Sequence, residues 1–103
     1  MIAELTELRN EIAGLCQRFG VLRLEAFGSA TTGTFRAENS DLDFLVEFEP
    51  SAITSGYADR YFGLLDALEQ LFGRSVNLVV SSAITNPFFR ESVDRSRALL
   101  YAA

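Results

Sequence analysis

The chain contains no histidine and no lysine; all nine of its basic residues are arginine. Without histidine, Ser-His and Cys-His catalysis, His-ligated zinc and histidine acid–base chemistry are excluded together. Without lysine, the P-loop signature is excluded as well. Cysteine occurs once, as Cys16, so no internal disulfide can form. Cys16 lies on the apolar stripe of a predicted helix and reads as a buried small hydrophobe rather than a reactive thiol. The lack of a disulfide framework and of a signal peptide points to the cytoplasm; Glu4 and Glu7 give the early residues the wrong charge for secretion. No apolar run approaches membrane-spanning length, so no membrane partner is expected. Fourteen acidic residues against nine basic ones leave a net charge of −5. A protein that gripped nucleic acid by its phosphates would need a basic face, and none is visible.

What is present suits one domain over residues 1–103, with 49% hydrophobic and 12% aromatic residues to fill a modest core. Ile2, Leu5, Leu8, Ile12, Leu15, Cys16 and Phe19 recur at helical spacing and predict one amphipathic helix over residues 2–19, closed by Gly20. Val21 to Phe27 reads as a strand. Ser29 caps a short turn to about Gly33, and Phe35 to Ser40 reads as a polar loop. Leu42 to about Glu49 alternates strongly. Leu42, Phe44, Val46 and Phe48 fall on a core face; Asp41, Asp43, Leu45, Glu47 and Glu49 fall on the other, which is expected to meet solvent at its end. Tyr57 to Phe72 predicts a second long helix ending at Gly73, and Ser75 to Val80 a third strand. Asn86 is placed to cap a short helix with Pro87 at its first position, and Ala98 to Tyr101 to form a terminal edge strand. The class is therefore α/β (α+β).

The chemistry concentrates in Gly28-Ser29, Gly33 and Asp41-Leu42-Asp43. Asp41 and Asp43 lie two residues apart at the head of a strand, so they share a face. Adjacent carboxylates repel unless a cation lies between them, and oxygen ligands of this kind suit Mg²⁺ with substrate phosphates. The Gly28-Ser29 turn can offer backbone N–H groups and a hydroxyl to the same phosphates. Either element alone is ordinary: paired aspartates are commonly solvated surface, and most glycine-serine turns are only turns. Together they describe a metal-dependent nucleotide site.

These residues resemble the signature of the DNA polymerase beta-like nucleotidyltransferases, and in particular their smallest branch, the minimal nucleotidyltransferases (MNT). The resemblance spans nearly the whole chain, including the tail from Pro87-Phe88-Phe89-Arg90 to Leu100-Tyr101. It implies a small mixed sheet flanked by helices, and an enzyme that moves a nucleoside monophosphate, AMP from ATP, to a hydroxyl. It also implies that Asp41 and Asp43 hold Mg²⁺, Ser29 and Gly28 contact phosphate, and Gly33 shapes the loop. Members of this branch resemble the antitoxin half of a toxin–antitoxin pair with a HEPN protein, and can attach AMP to a tyrosine of that partner. The chain departs from the family in three ways. Asn77 in Val76-Asn77-Leu78-Val79 stands where a third catalytic carboxylate is usual. Asn77 can offer a neutral oxygen but cannot be a base, and a general base typically contributes about 10²–10⁴-fold. Thr32 stands where relatives often carry an arginine, a phosphate partner that Arg36 or Arg74 would have to replace. The Ser29–Asp41 loop is one residue longer than usual.

Several alternatives stay open at this level. Asn77 reads equally as a weakened metal ligand and as a satisfied strand amide. Glu25 on the neighbouring strand is a candidate replacement carboxylate. Glu47 and Glu49 sit too far along, since each residue pair adds about 6.6 Å. Phe88 and Phe89 either dock a partner or close the core. Functionally, an adenylyltransferase antitoxin stands against a catalytically impaired module that neutralises its partner by binding alone. Transfer to a small acceptor such as an aminoglycoside would need a pocket shared between two copies in a homo-oligomer.

Overall fold

A computed structural model describes residues 1–36, 40–50 and 56–103. The expected loop from Phe35 to Ser40 therefore lies partly outside the described residues. The order of elements is α1 (Ala3–Glu7), α2 (Arg9–Arg18), β1 (Val21–Phe27), α3 (Ser29–Thr32), β2 (Leu42–Phe48), α4 (Tyr57–Phe72), β3 (Val76–Val80), a 3-10 turn at Ser81–Ala83, α5 (Pro87–Ser96) and β4 (Ala98–Ala102). The four strands form one mixed sheet in the order β3-β2-β1-β4. β1 pairs antiparallel with β2 and β4, and β2 pairs parallel with β3. A parallel pair needs a crossover, and α4 supplies it.

Helices α1, α2 and α4 cover one face of the sheet. Leu5, Ile12, Cys16, Leu24, Phe44, Val46, Leu64 and Leu68 close the main core there. Burial pushes the Cys16 thiol up to about 12, which leaves it an inert apolar filler. Tilted and edge-on ring pairs, Phe44–Phe72 at 5.9 Å and Phe48–Tyr57 at 5.5 Å, tie β2 to α4. The start of α5 follows its local sequence: Asn86 Oδ1 accepts from the N–H groups of Phe88 (2.9 Å) and Phe89 (3.2 Å), with Pro87 in the first helical position.

Two expectations need correction. Residues 2–19 are not one helix, because Leu8 leaves helical dihedrals at φ −96°, ψ 19°. The hydrogen-bond ladder survives the bend, with Leu8 N–H on Glu4 O and Ile12 N–H on Leu8 O. The bend accompanies docking of the N-terminus on α3, where Ile2 N–H donates to Ala30 O at 2.8 Å. The second correction concerns Leu45, on the face expected to carry the metal site at its beginning and to meet solvent at its end, with the core on the opposite face. α5 folds over that face, and Leu45 is buried with Phe27 and Val93 in a second, smaller core.

Candidate active site

β1 and β2 run antiparallel, so the end of one meets the head of the other: Phe27 pairs with Asp43. On its other side Asp43 pairs with Asn77 in the parallel β2–β3 register. Asn77 Nδ2 donates to Asp43 Oδ1 at 2.9 Å. That bond favours the reading of Asn77 as a satisfied strand amide, with its amide hydrogen on Asp43.

Gly28 follows Phe27 with φ +73°, ψ −146°, a conformation open essentially to glycine alone. A Cβ there would stand 2.6 Å from Asp43 Oδ2. Glycine is required by this approach as much as by the turn. The N–H of Gly28 is not turned toward a ligand; it donates to Ser96 Oγ at 2.9 Å. The first hydrogen bond inside α3 runs from Thr31 N–H to Gly28 O, so the N–H groups that precede it, on Ser29 and Ala30, begin the turn. Gly33 ends α3 in the left-handed conformation, φ +85°.

Asp41 is exposed and Asp43 half-buried. Burial raises the Asp43 pKa, the Asn77 hydrogen bond opposes that, and the nearby Asp41 charge raises it further. Among the described residues no cluster of three or more His, Cys, Asp or Glu side chains forms. The oxygen donors brought together there are the carboxylates of Asp41 and Asp43. That all-oxygen set fits a hard divalent cation, which would relieve the repulsion between the aspartates and keep positions for water and phosphate.

The other candidates are placed elsewhere. Glu25 pairs across the sheet with Leu45, not with Asp43. It is buried between Arg23 Nε (2.9 Å) and Arg97 Nε (3.1 Å), so it is a structural ion pair and not a substitute base. Glu47 is exposed and faces Arg23 in register. Arg74 stacks over Phe35 at 4.8 Å and donates to Ser40 O, bracing the segment that enters Asp41. Arg36 is exposed, with its backbone N–H on Ser40 Oγ. Phe89 packs edge-on against Phe27 at 6.1 Å, whereas Phe88 is 80% exposed.

Three further residues were not legible beforehand. Ser96 holds the glycine turn from 68 positions away in the chain. Glu69 and Tyr61 of α4 satisfy the outward edge of β3, through Val76 N–H and Leu78 O. Beside Asp43 and Asn77 that edge borders a groove of about 580 Å³.

A glycine turn pressed against a two-aspartate strand head on a mixed sheet is suited to binding a nucleotide through a divalent cation. Residues 8–100 match the family model described as nucleotidyltransferase domain, and the chain belongs to that family. It is 35% identical over 94 residues to a candidate protein adenylyltransferase of Methanocaldococcus jannaschii, covering 90% of this chain and 91% of that one. It is 39% identical over 72 residues to the protein adenylyltransferase MntA of Thermococcus cleftensis, covering 68% and 66%. In structure it superposes on a candidate minimal nucleotidyltransferase with a TM-score of 0.67 at 35% identity, covering 91% and 90% of the two chains. The same fold recurs at 16% identity and a TM-score of 0.65 in a complex of a tri-AMPylated Shewanella oneidensis HEPN toxin with an MNT antitoxin, covering 96% of this chain and 73% of that one. The chain is thus a nucleotidyltransferase with the fold of the minimal branch. No helix among its described residues is long and apolar enough to cross a membrane.

Proposed function

We propose that this chain uses Mg²⁺ and ATP to place AMP on a tyrosine hydroxyl of a HEPN-type partner, and so acts as a cytoplasmic antitoxin. The observation that carries the reading is the seat of Asp43, between a glycine with no room for a Cβ and Asn77, at the mouth of a groove. The names of the curated relatives support protein as the acceptor class. The AMPylated HEPN toxin in complex with a protein of the same fold supports the partner.

In this reading Asp41 and Asp43 hold the cation. When bound, it would neutralise charge on the phosphates as the bond to pyrophosphate breaks. Ser29 and the N–H groups that begin α3 hold phosphate, Gly28 lets the turn approach Asp43, and Gly33 ends the turn. Asn77 orients Asp43. The test is mass spectrometry of the partner after incubation with the chain, ATP and Mg²⁺. AMP should appear on a partner tyrosine and vanish with the double variant Asp41→Ala, Asp43→Ala. AMP transfer that persists in that variant would refute the site.

One observation favours a second reading. The third position is an amide bonded to Asp43, and among the described residues no third carboxylate joins Asp41 and Asp43 to serve as the base of a fast transferase. A binding antitoxin would silence its partner with no AMP added, and Asp41→Ala, Asp43→Ala would leave the silencing intact.

A further inference from the structure

The stretch that turns from β1 into α3 is too short to hold its own shape. α3 is four residues long, and a single helical turn is costly to nucleate without outside contacts. Inside the turn, the carbonyl of Gly28 accepts from Thr31 N–H (3.1 Å) and from the Thr31 hydroxyl (2.9 Å). Two further bonds reach the turn from distant parts of the chain. Ser96 Oγ accepts from Gly28 N–H at 2.9 Å, and Ile2 N–H donates to Ala30 O at 2.8 Å. One ties the entrance of the turn to the end of α5; the other ties its middle to the start of α1.

Ser96 is set up as an acceptor. Its hydroxyl leans back on Ser92 O, 3.5 Å away, which leaves its lone pairs to Gly28. It belongs to a face of α5 that follows β1 toward the turn. Phe89, Val93 and Ser96 recur at helical spacing, and Arg97 comes directly after them. Phe89 and Val93 pack on Phe27, Ser96 holds Gly28, and Arg97 Nε reaches Glu25 at 3.1 Å. Gly28 needs such a tie more than another residue would, because glycine leaves its flanking peptide groups freer to rotate. If the Phe27–Gly28 peptide turned, Gly28 would leave its close approach to Asp43 and carry Ser29 with it.

We infer that Ser96 and the backbone N–H of Ile2 are positioning groups for the nucleotide: they hold the Gly28-Ser29 turn in the shape that receives phosphate, acting through the turn and not on the ligand. The inference rests on the nucleotide site proposed above. A turn released from one tie spends part of its time in other shapes, and its apparent affinity falls in proportion to the time lost. The worth of one such hydrogen bond sets the scale, a loss of about 2–10-fold in affinity for each tie. The same phosphates are held in the ground state and the transition state, so the loss appears in KM and leaves kcat nearly unchanged.

The test is calorimetry with Mg²⁺ and α,β-methylene-ATP, whose α–β bridge cannot be cleaved. Ser96→Ala should bind about 2–10-fold more weakly than the native chain, and Ser96→Thr, which keeps the hydroxyl, should bind as the native chain does. Asn86→Ala controls for α5 as a whole: it loses the cap at the far end, with a comparable loss of stability, and should leave binding unchanged. Ile2 has φ −64°, which proline shares, so Ile2→Pro behind an N-terminal tag removes the N–H without bending the chain. It should weaken binding, whereas Ile2→Ala, which keeps the N–H and loses the side chain, should not. In the partner assay above, Ser96→Ala and Ile2→Pro should raise KM for ATP and leave kcat within about twofold. Native affinity in Ser96→Ala or in Ile2→Pro, or an equal loss in Asn86→Ala or Ile2→Ala, overturns the inference and leaves the nucleotide reading standing. A native chain that binds no nucleotide, or binds it as well after Asp41→Ala with Asp43→Ala, refutes that reading and the inference with it.

Discussion

Replacing Gly28 with alanine tests the close approach on which the site is built. The backbone there has φ +73°, ψ −146°, and the new Cβ would stand 2.6 Å from Asp43 Oδ2. Holding a non-glycine residue in such a conformation costs about 1–3 kcal/mol. Displacing Asp43 also weakens the hydrogen bond from Asn77, worth about 1 kcal/mol at a half-exposed site. The stiffer unfolded chain gives back about 0.4–1 kcal/mol. The net loss should be about 1–4 kcal/mol, with a fall in Tm of roughly 4–8 °C per kcal/mol for a domain of this size. Thermal and urea unfolding measure it, and calorimetry should show weaker Mg²⁺–ATP binding at the same time. The Asp43 part is isolated by repeating the substitution in an Asp43→Ala background, where only the backbone strain remains. If Gly28→Ala costs the same in both backgrounds, contact with Asp43 is not why glycine stands there. If it costs nothing in either, neither backbone strain nor the Asp43 contact requires glycine there.

Four other predictions rest on particular residues. Burial, the largest effect, and the Asp41 charge raise the Asp43 pKa above its unfolded value, against the lowering by Asn77. The folded state therefore binds more protons through the carboxylate range, so this group's contribution to stability falls as pH rises through it. Asp43→Asn should then be more stable than the native chain at neutral pH, with the advantage fading as pH drops below the unfolded value; lower stability at neutral pH would contradict the assignment. Mg²⁺ affinity of the native chain should weaken over the same acid range as Asp43 takes up its proton. Glu25→Ala takes away the carboxylate of Arg23 and one of the two carboxylates of Arg97, which keeps Asp94, and should cost near the low end of about 3–5 kcal/mol because both arginines reach solvent. A loss below about 1 kcal/mol in urea unfolding would show that the triad is worth no more than a surface pair. Ser96→Ala removes the acceptor of the Gly28 N–H and should cost about 1–2 kcal/mol while raising KM for ATP. An unchanged KM would mean that Ser96 steadies α5 and not the phosphate turn.

Much of this protein was legible because it is local. Strong alternation over Leu42–Phe48, broken only at Leu45, defines a strand and its core face within seven residues. Asn86-Pro87 starts a helix through bonds that reach only two and three residues ahead. Gly28-Ser29 and Asp41-Leu42-Asp43 marked the site for the same reason, since each is a short segment whose residue types suit one chemistry. Even Cys16 was readable, because a lone cysteine on an apolar stripe has one place to go.

What depended on register and packing was not readable. The sequence alone placed Glu25 and Asp43 on neighbouring strands, but only the pairing of β1 with β2 puts Glu25 opposite Leu45 and Phe27 opposite Asp43. A one-residue slip would reverse every such assignment, and no local pattern specifies the offset. Leu45 looked solvent-facing because its neighbours Asp43 and Glu47 are charged; its burial waits on α5, which arrives some forty residues later. Ser96 meets Gly28 across 68 positions, and Asn77 meets Asp43 across 34. The sequence by itself determined most of the elements, the core face of β2 and the residues proposed for the site, because those follow from short-range geometry and side-chain type. The tertiary structure alone decided the break at Leu8, the demotion of Glu25 to an ion pair, the contact of Asn77 with Asp43 and the groove at the β3 edge. Each of these depends on which distant segment packs there, a choice made by the whole core at once.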